Sequence, residues 1–211
     1  MHNQVLIFSL IASCFVTRHM RLQGVLHRIT PPFIASIAVC AFGLLMALPA
    51  LAAPTQMVGK VVYVDDGDTV VLLVDGRNQV KIRLSSIDAP ETSHTNKEVG
   101  RIGQPLSEGA TRFLAASVKG RTVEARCFEM DRYGREVCEL FSNGQSVNQD
   151  LVRNGWAWAN TAASGRYLRD RSLIGLQQAA RASGLGLWKS HNPVPPWEWR
   201  DLCWKQHHCS Q

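Results

Sequence analysis

Apolar and polar positions begin to alternate at about Met57. Met57 to Asp65 and Thr69 to Val74 are rich in β-branched and aromatic residues, and Gln79 to Leu84 alternates polar with apolar side chains. Asp75-Gly76-Arg77-Asn78 lies between the last two and has turn composition, so the pattern predicts three consecutive antiparallel strands. Ser93 to Gly103 is polar and reads as a loop. From Pro105 to Val118 the period changes: Leu106, Ala110, Phe113, Leu114 and Ser117 follow helical spacing until Gly120. Two more strands, Arg121–Phe128 and Glu136–Phe141, flank a turn at Asp131–Gly134. Ser146 caps a short helix that runs to Arg153 and is ended by Gly155. Trp156-Ala157-Trp158 is too short to assign. A last helix opens at Ser164 or Gly165, runs to about Ser183 and stops at Gly184-Leu185-Gly186.

Five strands with about three helices, one of them between the third and fourth strands, predict an α+β fold: a small closed five-stranded β-barrel of the OB type. The periodicity alone equally allows another α+β arrangement. No internal repeat is visible. Asn192-Pro193-Val194-Pro195-Pro196 reads as an extended linker. Trp197 to Cys209 reads as a tail tied down by its own bridge and packed as a lid.

The first 53 residues have a different composition. They hold no Asp or Glu, and Arg18, Arg21 and Arg28 are their only Lys or Arg. Phe33 to Leu48 is uncharged and mostly apolar, and Pro49-Ala50-Leu51-Ala52-Ala53 follows it. Basic flank, apolar run and small-x-small end are the parts of a secretory signal peptide, with cleavage near Ala52 or Ala53. An uncleaved membrane anchor is the alternative, because the run approaches the ~20 residues that span a bilayer. The basic flank is long, and a start at Met20 gives a leader of ordinary length. The domain is therefore expected at 56–190, with 191–211 as a Pro- and Trp-rich tail, in a secreted or periplasmic protein.

Removing the leader lowers Lys+Arg from 23 to 20 against 17 Asp+Glu, a net charge of +3. That balance permits a polyanionic substrate without arguing for one. Cys14 and Cys40 leave with the leader, so four of six cysteines remain. An even count in an exported chain favours disulfides. Pairing 130 with 135 across the Asp131–Gly134 turn sets Cys127 opposite Cys138, within reach of a bridge. Cys203 and Cys209 are the natural second pair. A zinc site from Cys203, His207, His208 and Cys209 is the rival reading.

The candidate chemistry lies in three segments: Asp66-Gly67-Asp68-Thr69, Arg83 to Thr92, and Asp131-Arg132-Tyr133-Gly134-Arg135. Alone, the first is an ordinary β-turn, and Asp88-Ala89-Pro90-Glu91 is a strand running into a Pro loop. Together they bring Asp68 and Asp88 to the ends of neighbouring strands, where two carboxylates repel each other without a cation between them. Oxygen ligands with neither His nor Cys point to a hard cation, and Ca²⁺ suits such flexible sites. Arg83 alternates with Ile82 and Leu84 on its strand, five residues before Asp88. A guanidinium offers the paired donors that match phosphate oxygens.

In this order and spacing the three segments resemble the thermonuclease family, typified by staphylococcal nuclease. Leu151-Val152-Arg153-Asn154-Gly155 and Gly186-Leu187-Trp188 look like later landmarks of that family, so the resemblance covers roughly Val58 to Trp188. It implies a Ca²⁺-dependent nuclease that acts on DNA and RNA with little sequence preference and leaves 3′-phosphates. Asp68, Asp88 and the backbone carbonyl of Ala89 then match the calcium ligands, with Asp66 a nearby carboxylate acting through water. Glu91 matches the general base, Arg83 and Arg135 the two phosphate-gripping arginines, and Arg132 and Tyr133 positions near a terminal phosphate. No protein partner is implied, and the chain is expected to act as a monomer. The family also contains catalytically silent OB-fold binding modules, which lack part of this set; that is the competing expectation. One departure is plain: where relatives place tyrosines after the Leu-Val-Arg-x-Gly segment, this chain has Ala159-Asn160-Thr161-Ala162-Ala163. Tyr167, Trp156 and Trp158 are the nearby aromatics, and they read as structural.

Overall fold

Strand β1 (Thr55–Val64) pairs antiparallel with β2 (Thr69–Val74), which pairs antiparallel with β3 (Asn78–Leu84). On its other edge β1 pairs with β4 (Thr122–Met130), and β4 returns through the Asp131–Gly134 turn into β5 (Glu136–Ser142). A parallel pairing of β3 with β5, Ile82 opposite Glu136 and Leu84 opposite Cys138, closes the sheet into a mixed barrel. This computed structural model describes residues 54–96 and 99–209, so the leader expected at 1–53 lies outside the described residues. The fold is the α+β, OB-type five-stranded barrel expected from the order of strands and helices.

Alternating side chains of all five strands fill the interior. Val61, Val70, Leu72, Ile82, Ala125 and Leu140 are fully buried. Each branched aliphatic buried this way contributes about 1.5–3 kcal/mol relative to exposure. Helix α1 (Ser107–Val118) covers one end with Ala110, Leu114 and Val118. Helix α2 (Val147–Arg153) adds Leu151 and Val152, and Ser146 caps it by accepting from the Gln149 amide at 3.3 Å. Asn148 of α2 donates to the Ser85 carbonyl at 2.9 Å and accepts from the Leu140 amide at 3.0 Å, which fixes the turn that follows β3.

Some elements differ from expectation. The segment read as a loop contains a short ribbon, His94–Asn96 against Val99–Arg101. The last helix, α3, spans Ser172–Ala182 and begins well after Ser164. Ala163 and Ser164 take left-handed backbone angles that no helix continues through. Farther on, the Asp170 carboxylate accepts from the Ser172 amide at 2.9 Å and its hydroxyl at 2.6 Å, at the point where the helix begins. Trp158–Ala159, left unassigned by pattern, pairs antiparallel with Ile87–Asp88.

The β4–β5 hairpin carries an irregularity. At the turn Met130 faces Glu136, one position off the expected partner, and a bulge between Cys127 and Glu129 restores Cys127 to Cys138. The Cys127–Cys138 disulfide forms across that register, and a second joins Cys203 to Cys209. Both sulfurs of the tail are consumed by that bond, which overturns the zinc alternative.

Gly155 and Gly186 meet where the end of α2 touches the chain beyond α3. Leu187 donates its amide to the Gly155 carbonyl at 2.8 Å, and Gly155 has φ +72°. A Cβ at Gly155 would lie 2.3 Å from the Leu185 carbonyl oxygen, too close for any atom pair. Gly155→Ala therefore combines a left-handed penalty with a backbone clash and is expected to cost about 3 kcal/mol or more. A urea denaturation midpoint close to that of the native protein would refute this.

Candidate active site

Asp66 and Asp68 sit in the turn between β1 and β2. The Asp66 carboxylate accepts from the Asp68 amide at 3.0 Å, and the Asp68 carbonyl accepts from the Leu84 amide at 2.8 Å, so the turn is tied both to itself and to β3. The glycine between them is required by packing. A Cβ at Gly67 would come within 2.7 Å of the Ala89 side chain and 2.9 Å of the Ala110 side chain. Its absence lets the turn close on Ala89, whose amide donates to Asp68 Oδ2 at 2.8 Å.

Arg83 connects the two acidic segments. Its guanidinium lies 2.9 Å from Asp68 Oδ2 and 2.8 Å from Asp88 Oδ1, and it also donates to the Leu84 carbonyl at 3.0 Å. Asp88 is only 1% exposed, held in its two-residue pairing with Trp158 and Ala159. Glu91 follows at the end of the Ala89-Pro90 step, its amide donating to the Gln104 side chain at 3.0 Å. The structure thus brings Asp66, Asp68, Arg83, Asp88 and Glu91 to one place, with Ala89 beside Asp68.

Arg135 is held differently. It immediately precedes β5, whose first residue, Glu136, pairs with Ile82 next to Arg83. Its guanidinium is engaged by the Asp131 carboxylate at 2.7–2.8 Å and lies 5.4 Å from the centre of the Tyr133 ring. Asp131 also accepts from the Tyr133 and Arg135 amides at 2.9 and 3.0 Å. Burial pushes the Asp131 carboxyl up, but these hydrogen bonds outweigh it and hold the group below its ordinary value. Arg132 stands outside the cluster, exposed, its guanidinium donating to the Tyr133 hydroxyl at 2.7 Å.

One member was invisible in the sequence. Arg200, from the tail, sets its guanidinium against both oxygens of Asp88, at 2.7 Å to Oδ2 and 3.3 Å to Oδ1, and against the Glu91 carboxylate. No local motif marks it, because its partners lie 112 and 109 residues earlier. The nearest signal was the Trp197-Glu198-Trp199 run beside it, which announces a docked segment without saying where it docks.

Burial raises Asp68 well above the ordinary aspartate range; Arg83 opposes this, while Asp66 and Asp88 add to it. Burial also raises Glu91, against the pull of Arg200. For Arg83 and Arg200, burial disfavours the charge but the facing carboxylates win and hold both protonated. Four carboxylates facing two guanidinium groups leave an excess of two negative charges when all are ionised. Oxygen donors with that charge suit a divalent hard cation. Among the described residues no three His, Cys, Asp or Glu side chains are arranged to hold a metal.

The aromatics near the substituted stretch after Gly155 divide cleanly. Trp156 stacks on Phe113 at 6.1 Å, and Trp158 meets Trp188 edge-on at 5.6 Å, so both are structural as expected. Tyr167 is exposed instead.

A sequence model described as "Staphylococcal nuclease homologue" matches residues 81–190. An uncharacterized endonuclease of Escherichia coli O157:H7 is 39% identical over 153 residues, covering 72% of this chain and 89% of that protein. The micrococcal nuclease of Shigella flexneri is 32% identical over 169 residues, 74% of this chain and 86% of its own length. Protein ParB of Escherichia coli is 36% identical over 166 residues, 74% and 85% respectively.

Proposed function

The chain belongs to the staphylococcal nuclease family and is a phosphodiester-hydrolysing endonuclease acting on nucleic acid, and from that premise we propose that it is an exported, Ca²⁺-dependent enzyme cleaving DNA and RNA with little sequence preference. The observation that carries this reading is the Asp68–Arg83–Asp88 cluster with Glu91 beside it. It joins a buried carboxylate pair, a guanidinium of the kind that matches phosphate, and a further carboxylate in one cluster.

In this reading Asp68, Asp88 and the Ala89 carbonyl hold the calcium ion, and Asp66 acts on it through water. When bound, the ion supplies Lewis acidity toward a phosphate oxygen. Arg83 and Arg135 hold the non-bridging oxygens and stabilise the charge that builds there during attack. Arg135 reaches the phosphate from the β5 side, preset by Asp131. Glu91 takes the proton of the attacking water, and its raised affinity for protons suits a base working near neutral pH. Arg132 and Tyr133 meet a terminal phosphate at the exposed turn. The products carry 3′-phosphates, and the protein acts as a monomer. Every residue of this set is present, as the catalytically silent alternative requires it not to be.

Export is supported by the composition of residues 1–53 and by the two disulfides, which persist in oxidising compartments. No described helix is long and apolar enough to cross a membrane. In this reading the domain spans 56–190 and the tail 191–211. Incubating the purified protein with single-stranded DNA tests the metal reading: calcium should support cleavage and excess chelator should abolish it. Robust cleavage in chelator would reject the cation from the mechanism.

A further inference from the structure

The tail is docked on the segment that carries Glu91. The indole N–H of Trp199, 3% exposed, donates to the Ile102 carbonyl at 3.1 Å, and that of Trp204 donates to the same oxygen at 2.9 Å. Gln104 accepts from the Glu91 amide with its side-chain oxygen and donates to the Val194 carbonyl with its nitrogen at 2.9 Å. The Arg101 guanidinium lies 4.9 Å from the centre of the Trp204 ring. Arg200 stands where the helical turn Pro196–Trp199 runs into the π-helical turn Arg200–Lys205, with the Cys203–Cys209 disulfide just beyond. It is a positioned group rather than a loose surface charge.

Its placement has a chemical consequence. Asp88 Oδ1 is shared by Arg83 and Arg200, and Asp88 Oδ2 is taken by Arg200. A divalent cation ligated by Asp88 needs an oxygen that a guanidinium holds, and it meets the charge of that guanidinium at close range in a partly desolvated site. The Glu91 oxygen facing Arg200 is likewise engaged. We propose that Arg200 is a further positioning residue of the active site: it competes with the divalent cation for Asp88, so the C-terminal segment sets the affinity of the site for its metal. The proposal rests on Asp88 being a cation ligand.

Calorimetric titration of calcium into the purified protein, in the absence of nucleic acid, tests it. Arg200→Gln removes the competing charge and should tighten calcium binding roughly tenfold or more, the size of an ordinary coupling between two sites. Arg200→Lys keeps the charge but cannot span both Asp88 oxygens, so its affinity should fall between wild type and the Gln variant. A purely structural role for Arg200 predicts unchanged or weaker binding in both variants, and that result would overturn the proposal. Should the Gln variant fail to fold by circular dichroism, the Lys variant decides, since tighter binding supports competition and equal or weaker binding refutes it. Absence of calcium binding in wild type and both variants would overturn the ligand role of Asp88, and the competition with it. Calcium binding that is equal across the three removes the competition alone.

Discussion

Replacing Arg83 with lysine is expected to lower turnover on single-stranded DNA roughly 10²- to 10³-fold, the loss seen when one preorganised donor to a developing oxyanion is removed. The structure adds a reason to the one legible from residue type. Arg83 uses its fork on Asp68, Asp88 and the Leu84 carbonyl at once, so it orders the carboxylates besides the phosphate contact proposed for it. Lysine retains the charge and so keeps the buried carboxylates compensated, but it has no second arm. Alanine would strip Asp68 of its guanidinium and leave Asp88 with Arg200 alone, at a stability cost of about 3–5 kcal/mol. Steady-state rates of the Lys variant within about threefold of wild type would remove Arg83 from the reaction.

Glu91→Gln should lower turnover by about 10²–10⁴ while nucleic-acid affinity holds, because proton removal is lost and the Arg200 ion pair that goes with it makes no contact with substrate in the proposed mechanism. Parallel measurement of kcat and of substrate binding separates the two, and equal losses would dismiss the base assignment. The pH dependence gives an independent check. Burial outweighs Arg200 and raises Glu91, so its ionised form is lost as pH falls through a value above the ordinary glutamate range. The acid limb of the rate profile should therefore sit above that range and vanish in the Gln variant. For stability the sign is opposite: the fold favours protonated Glu91, a contribution present below the unfolded-state value and lost as pH rises through the folded one.

What could be read from the sequence was what short stretches decide. Asp66-Gly67-Asp68 and Asp88-Ala89-Pro90-Glu91 are each ordinary alone, and only their order and spacing together marked them as one candidate site. The strands show through a period of two, and Ser146 and Gly155 mark the ends of α2. The cross-hairpin disulfide was foreseen because Cys127 and Cys138 lie on either side of one turn. Even there the turn register was off by one, since an extra residue in a bulge leaves no trace in alternation. The closure of the barrel was harder to see. Nothing in Gln79–Leu84 or Glu136–Phe141 says that these strands lie side by side and parallel, and that pairing sets the strand that follows Arg135 alongside the strand that carries Arg83. The start of α3 was misplaced because helical spacing continues through residues whose backbone is set by contacts of Ser86, whose hydroxyl accepts from the Arg169 and Asp170 amides. Arg200 was the extreme case, a long-range ion pair with no local signature.

That distance also orders events during synthesis. Glu91 is made 109 residues before the arginine that meets it, and Asp88 112 residues before. A growing chain already holds the full complement of acidic groups while only Arg83 is there to balance them. Buried carboxylates left short of a partner resist desolvation, so this corner of the barrel should stay hydrated until the tail arrives, even where the strands have paired. Native packing around Asp88 is then a late step of folding, and a chain interrupted before Arg200 is expected to be an easy substrate for proteolysis.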